Sequence, residues 1–393
     1  MLPTLIVTSV AYSLTNSMIG PLLVEVARGF HVPIGVAGQA RTVLSGTGAL
    51  TAFIATYFAD RVPRRRQLLL ALAAIAVAEA ALGLTRSFGW WMALQAVAGV
   101  GVATVSLAGT AAAADYFEDA RRGPAMGWIT TGYPIAWMLG LPLVGAVADA
   151  WGWRASYLLV GAGVAVIGFM WVLVLLPPPT QPEPEVARLG AGLGALRAHP
   201  GARGWVFAEL LATTAWSGFL VYVGAFFGVT YGLAPGAIGV LVGILAGASV
   251  LGTISSGWVG NRFGRRRTLL WSTALAAAGI AVPFGLHLTP AASVILLIPH
   301  ALFSSVRYPN SGTIALSLAP GAHGTIMAAR ALVITFGGAV GTMLGGLLIE
   351  VAGFRGLGFA YAALAGGAFV VYSRVVPRRA RPDRARVGTA AGL

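Results

Sequence analysis

The chain contains no cysteine and no lysine, and only 10% of its 393 residues are charged. An ordinary soluble domain carries about 25% charged residues. The missing thiols exclude a disulfide framework, a thiolate metal site and a cysteine nucleophile. The five histidines are scattered, with no His-Glu-x-x-His pair for zinc and no Walker A phosphate loop. No metal, no other cofactor, no enzymatic centre and no ATP drive are therefore expected. What abounds is apolar: 57% of the residues, with a mean hydropathy of +0.81. A soluble globule cannot cover that much apolar surface. A soluble enzyme, a disordered chain and a nucleic-acid-binding domain are excluded together.

A bilayer core is about 30 Å thick and takes roughly 20 apolar residues per helix. Cutting the chain at charges, prolines and turn residues predicts twelve spans, at 3–24, 36–59, 67–86, 90–114, 124–148, 155–176, 204–228, 235–259, 268–288, 291–317, 324–349 and 354–375. The first starts directly after Met1, without a basic leader or a small-residue cleavage site, and reads as a retained helix. All 26 basic residues are arginine, and the formal net charge is +14. Placing both termini in the cytoplasm puts 19 arginines in cytoplasmic segments and 4 on the opposite side. That asymmetry predicts a multi-pass protein of a bacterial-type inner membrane with both termini inside.

The longest polar interruption, 177–203, opens with Pro177-Pro178-Pro179 and reads as an extended linker between six helices and six. The expected organisation is an N-terminal bundle (1–176), the linker, a C-terminal bundle (204–376) and a basic tail (377–393). A shift of 201 residues brings the halves into register. Asp60-Arg61-Val62-Pro63-Arg64-Arg65-Arg66 falls on Asn261-Arg262-Phe263-Gly264-Arg265-Arg266-Arg267. Gly145, Asp149, Gly152, Trp153 and Arg154 fall on Gly346, Glu350, Gly353, Phe354 and Arg355. Chance similarity between apolar helices does not reproduce loop charges at one fixed offset. Parallel halves around a midplane site are a secondary-transporter arrangement.

With these residues in view, the sequence resembles the major facilitator superfamily over nearly its whole length. The turn after helix 2 is similar to that family's G-x-x-x-D-R-x-G-R-R signature. Asp60, Arg61, Arg64 and Arg65 match, Thr56 stands at the first glycine and Pro63 at the second. Gly140-Leu141-Pro142-Leu143-Val144-Gly145 on helix 5 resembles the antiporter motif of efflux members, and Asp115-Tyr116-Phe117 the usual exit from helix 4. The resemblance implies an all-α membrane protein of twelve transmembrane helices in two pseudo-symmetric six-helix bundles. Helices 1, 4, 7 and 10 would line a cavity, and helices 3, 6, 9 and 12 would face lipid. Two departures stand out. Gln95 occupies the place of a helix-4 arginine of efflux members, and helix 1 has Asn16 in place of a mid-membrane acid.

Polar side chains follow that pattern. Tyr12 and Asn16 on helix 1, Gln95 on helix 4, Thr213 and Trp216 on helix 7, and His300, Ser304 and Arg307 on helix 10 are candidate solute contacts, with Tyr133 and Trp137 on helix 5 and Arg330 on helix 11. Ionisable groups inside a membrane cost at least ~2.5–3.5 kcal/mol on insertion scales and mark function. Glu209 is the expected proton carrier, paired with Arg307 or Arg330 in one state; a purely structural ion pair is the alternative. Glu79 on helix 3 is read either as a buried structural contact or as a second proton site. Asp60, Arg61, Arg64 and Asp115 form the expected cytoplasmic gate, with topology anchoring as the plainer reading of the arginines. Glu25 and Arg41 are expected to form a gating or anchoring pair near the outer side, with contact between Arg41 and the solute as the alternative. The resulting expectation is an alternating-access transporter, a monomer in a lipid bilayer, driving proton-coupled efflux of a small organic solute such as a drug, sugar or metabolite. Uptake or facilitated passage of an organic anion is the alternative.

Overall fold

The structure, a computed structural model, describes residues 1–58, 62–177, 200–286, 288–318 and 323–376. Asp60, Arg61, residues 178–199 of the linker and the 377–393 tail lie outside the described residues. Among the described residues every regular element is helical, and the helices form twelve spans. The first, α1, comprises Leu2–Ser17 and Ile19–Phe30, bent by 42° at the break. Next come α2 (Ile34–Phe58), α3 (Arg64–Leu84), α4 (Phe88–Tyr116), α5 (119–151) and α6 (Trp153–Leu175). The second half holds α7 (Pro200–Tyr231), α8 (Pro235–Phe263), α9 (Arg265–Gly285) and α10 (Pro290–Leu318). A last helical run, His323–Val375, is divided at Gly353 into α11 (323–352) and α12 (354–375).

The breaks have local causes. Pro21 lacks the N–H that would bond the Ser17 carbonyl, and its ring crowds that turn, so α1 bends there. Pro142 of α5 likewise leaves the Met138 carbonyl without its helical N–H, and a π-helical turn at Ala136–Gly140 directly precedes it. The backbone repeats with the sequence. The left-handed residues His31 (φ 54°) and Gly232 (φ 67°) are 201 apart, as are Gly152 (φ 85°) and Gly353 (φ 64°). His31 closes α1 by donating its N–H to the Arg28 carbonyl at 3.2 Å. This carries the helix to Phe30, beyond the expected end at 24.

Both ends of the described chain lie on one face of the bundle, here the terminal face; the other is the distal face. On the terminal side each half has its own apolar core. One joins Leu5, Leu72, Val105 and Val172, and the other joins Trp205, Leu269, Ile314 and Tyr372. On the distal side a single core runs through both halves, including Leu22, Val144, Tyr222, Phe227 and Ile238. Buried apolar area is the main cohesive term. The halves are therefore sealed at the distal face, and the strong packing of α1 and α5 across the boundary comes from the segments beyond their breaks.

Candidate functional site

Glu209 sits two and a half turns into α7 and is fully buried. Its Oε2 accepts from Arg307 Nη1 at 3.0 Å, from Ser311 Oγ at 2.6 Å and from the Tyr372 hydroxyl. Ser311 itself accepts from Trp205 Nε1 at 2.9 Å, and Arg307 Nη1 also reaches the Tyr372 hydroxyl at 3.2 Å. Arg330 Nε lies 3.8 Å from Glu209 Oε1, too far for a hydrogen bond, and neither atom has another partner. Arg330 Nη2 donates to the Tyr308 carbonyl at 2.6 Å, and its guanidinium lies 3.9 Å from the centre of the Tyr308 ring. One carboxylate thus meets two guanidinium groups, with one of its oxygens saturated and the other nearly free. Placed in the interior, this cluster carries one uncompensated positive charge. An isolated buried charge is costly, which makes the site receptive to an anion.

The three charges expected to converge do so. Tyr372 and Ser311 complete the cluster, and Tyr372 was hidden by the expectation that helix 12 faces lipid; its side chain is fully buried and turned inward. Thr213, Trp216, His300 and Ser304 lie within the second half. His300 Nδ1 bonds the Ala276 carbonyl at 2.6 Å and its ring packs on Phe219 at 4.4 Å. A cavity of about 10 Å³ beside Arg307, His300 and Ser304 has room for one water.

In the first half Tyr133 stands 37% exposed, with Tyr12 edge-on at 6.2 Å and Trp137 tilted at 5.6 Å. Asn16 Nδ2 donates to the Tyr133 hydroxyl at 3.4 Å. These four form one aromatic, donor-rich surface. Gln95 and Glu79 are buried deeper in the bundle beside Tyr157, and Glu79 packs on Gly161. The expected pairing of Arg41 with Glu25 is corrected: Glu25 accepts from Arg28 at 2.9 Å, three residues along its own helix. An i,i+3 partner is within immediate reach, whereas Arg41 would require a contact between helices.

At the terminal face Arg64 Nε is 3.3 Å from Asp115 Oδ2, so two of the gating candidates meet within the first half. Arg65 donates to the Leu173 carbonyl at 2.7 Å, and its repeat partner Arg266 to the Ser373 carbonyl at 2.9 Å. Both cap the end of the last helix of their half, a favourable place for a cation. At the distal face Gly236 N–H donates to Asp149 Oδ2 at 3.0 Å, and Gly35 N–H to Glu350 Oε1 at 2.9 Å. Sequence comparison had aligned Asp149 with Glu350 without assigning either a partner.

Among solved structures, the chain is similar to a bacterial homologue of the human lysosomal transporter Spinster. In its inward-facing occupied conformation the match is 15% identical, covers 95% of this chain and 96% of that one, and has a TM-score of 0.81. In the inward-facing unoccupied conformation identity is 16%, with the same coverage and a TM-score of 0.74. A mutant of the peptide transporter POT in complex with sulfate matches at 15% identity, over 95% of this chain and 94% of that one, with a TM-score of 0.75. Among curated proteins, the uncharacterized MFS-type transporter YceJ of Bacillus subtilis (strain 168) is 25% identical over 338 residues, which is 85% of each chain. The sequence profile of the Major Facilitator Superfamily matches residues 5–247 and again 205–392. With both halves matched and the twelve-helix fold in place, the chain belongs to the Major Facilitator Superfamily.

Proposed function

We propose that this membrane transporter carries a small organic anion together with protons, by alternating access, with the terminal face in the cytoplasm of a bacterial-type inner membrane. The observation that carries the reading is Glu209 shared between Arg307 and Arg330. An anion that engages these guanidinium groups competes with the Glu209 carboxylate for them. The displaced carboxylate, buried and without its counter-charge, takes up a proton. Anion and proton therefore favour each other's binding, and by linkage the effect is reciprocal. Cooperative binding suits movement of both in one direction, so an inward proton gradient would drive uptake. Tyr12, Asn16, Tyr133 and Trp137 offer the solute's body a surface from the facing half.

A second reading, proton-driven efflux, rests on the Gly140–Gly145 segment of α5, which packs on α8 at the distal boundary and resembles the antiporter motif. Proteoliposomes with pH gradients of either sign separate the two. Uptake predicts accumulation of benzoate or another radiolabelled organic anion when the outside is acidic, and loss of that effect in Glu209→Gln. Expulsion under the same gradient supports efflux, and gradient-independent flux in the unmodified protein removes the proton from both readings.

A further inference from the structure

We infer that Arg41 is a second anion anchor, and that the preferred solute carries two anionic groups, one held by Arg307 and Arg330 and the other by Arg41. The inference rests on the organic-anion reading and narrows it. Arg41 lies about 10 Å below the distal end of α2, counted at 1.5 Å per residue from Ile34. Gly38, three residues earlier on the same helix face, abuts the Tyr222 ring of α7, so this face of α2 looks across the boundary between the halves. Arg41 follows one turn deeper, in line with the inter-half space. Thr42, the next residue of α2, shares a hydrogen bond of 2.8 Å with Thr342 of α11, the helix that also carries Arg330. Arg41 and Arg330 therefore lie along the same α2–α11 boundary between the halves.

The unmatched buried nitrogens of this region are donors, and the unmatched carboxylate oxygen beside them is Glu209 Oε1, 3.8 Å from Arg330 Nε. Arg41 Nη1 is buried without an acceptor, as are the Trp137 indole Nε1 and Arg330 Nε. No carboxylate among the described residues lies within ion-pair distance of Arg41. Glu25 is taken by Arg28, and Glu79 is packed against Gly161 on the other side of α1. Three guanidinium groups thus stand against one carboxylate, and Arg41, half-buried, has its enclosed Nη1 without an acceptor. A solute with one carboxylate would answer only the α10–α11 pair. A solute with two answers both ends, with its body against Tyr12, Tyr133 and Trp137.

Benzoate and terephthalate share a flat ring and differ by one carboxylate, so their binding to the purified full chain, followed by tryptophan fluorescence, tests the assignment. Terephthalate is expected to bind at least about tenfold tighter, the worth of one charge-assisted contact. Arg41→Gln should lower terephthalate to the level of benzoate and leave benzoate unchanged, whereas Arg41→Lys should keep the preference. Arg307→Gln should weaken both ligands. Equal affinities in the unmodified protein, or a preference that survives Arg41→Gln, overturns the second anchor and leaves the anion reading standing. Binding of neither compound overturns the anion reading, and the second anchor with it.

Discussion

The Asp149 carboxylate of the first half holds the Gly236 amide at the start of α8 in the second, at 3.0 Å, and its image 201 residues on, Glu350, holds Gly35 at the start of α2, at 2.9 Å. Each carboxylate satisfies an N–H that no helical turn can reach and lies at the positive end of the other half's helix dipole. The distal seal thus includes a pair of equivalent latches, one aspartate and one glutamate, related by the repeat.

Removing either latch is expected to favour opening of the distal face. Asp149→Asn or Glu350→Gln weakens a capping contact worth about 1 kcal/mol, roughly a fivefold change in population, and the two together should multiply. The chain's lack of cysteine provides the assay. Val221→Cys, one turn from Gly224 where α7 abuts the Gly20 carbonyl of α1, places a lone thiol in the sealed core. Its labelling by an impermeant maleimide added from the distal side should accelerate in each variant.

Close helix contact at that seal admits no side chain. A methyl on Gly145 would collide with the Pro235 carbonyl, and one on Gly346 would lie 2.6 Å from the Gly35 carbonyl oxygen. Gly145→Ala and Gly346→Ala are expected to fold yet hold the distal face ajar, with transport down at least tenfold. Gly163→Ala, which meets nothing within 4 Å, is the control and should be neutral or slightly stabilising through helix propensity.

The charged cluster predicts a non-additive pair. Arg307→Gln leaves Glu209 buried with its principal partner gone and should cost about 3–5 kcal/mol, seen as a large drop in melting temperature in detergent. Adding Glu209→Gln to that variant removes the stranded charge and should recover most of the loss, while proton-dependent transport stays absent.

Tyr372→Phe retains the buried ring and deletes a donor to Glu209. A loss of about 1–3 kcal/mol in stability is expected. An unchanged melting temperature would mean that the short contact to Glu209 contributes nothing.

Much of this was legible in the sequence because membrane physics is blunt. Long apolar runs locate the twelve spans, arginine-bearing turns reveal the duplication, and the cost of an intramembrane charge singles out Glu209, Arg307 and Arg330. What escaped was set by geometry that composition does not encode. Tyr372 is an ordinary residue for a lipid-facing helix until its rotation is known. Arg41 and Glu25 suggest a pair until Arg28 is seen to be nearer. Asp149 and Glu350 align in the repeat, yet their partners are backbone amides, which leave no trace in side-chain patterns.

The helix breaks are not shared between the halves. Pro21 at the bend of α1 and Pro142 after the π-helical turn of α5 are replaced at the corresponding positions by Tyr222 and Met343, and neither α7 nor α11 is interrupted there. Each broken helix of the first half has one segment clasped to the opposite bundle and one that stays with its own. The second half has helix-interior prolines elsewhere, Pro283 in α9 and Pro299 and Pro309 in α10, where the first half has Leu82, Ala98 and Ala108. Each bundle thus carries its own set of weak points along its helices, although one repeat relates the two sequences.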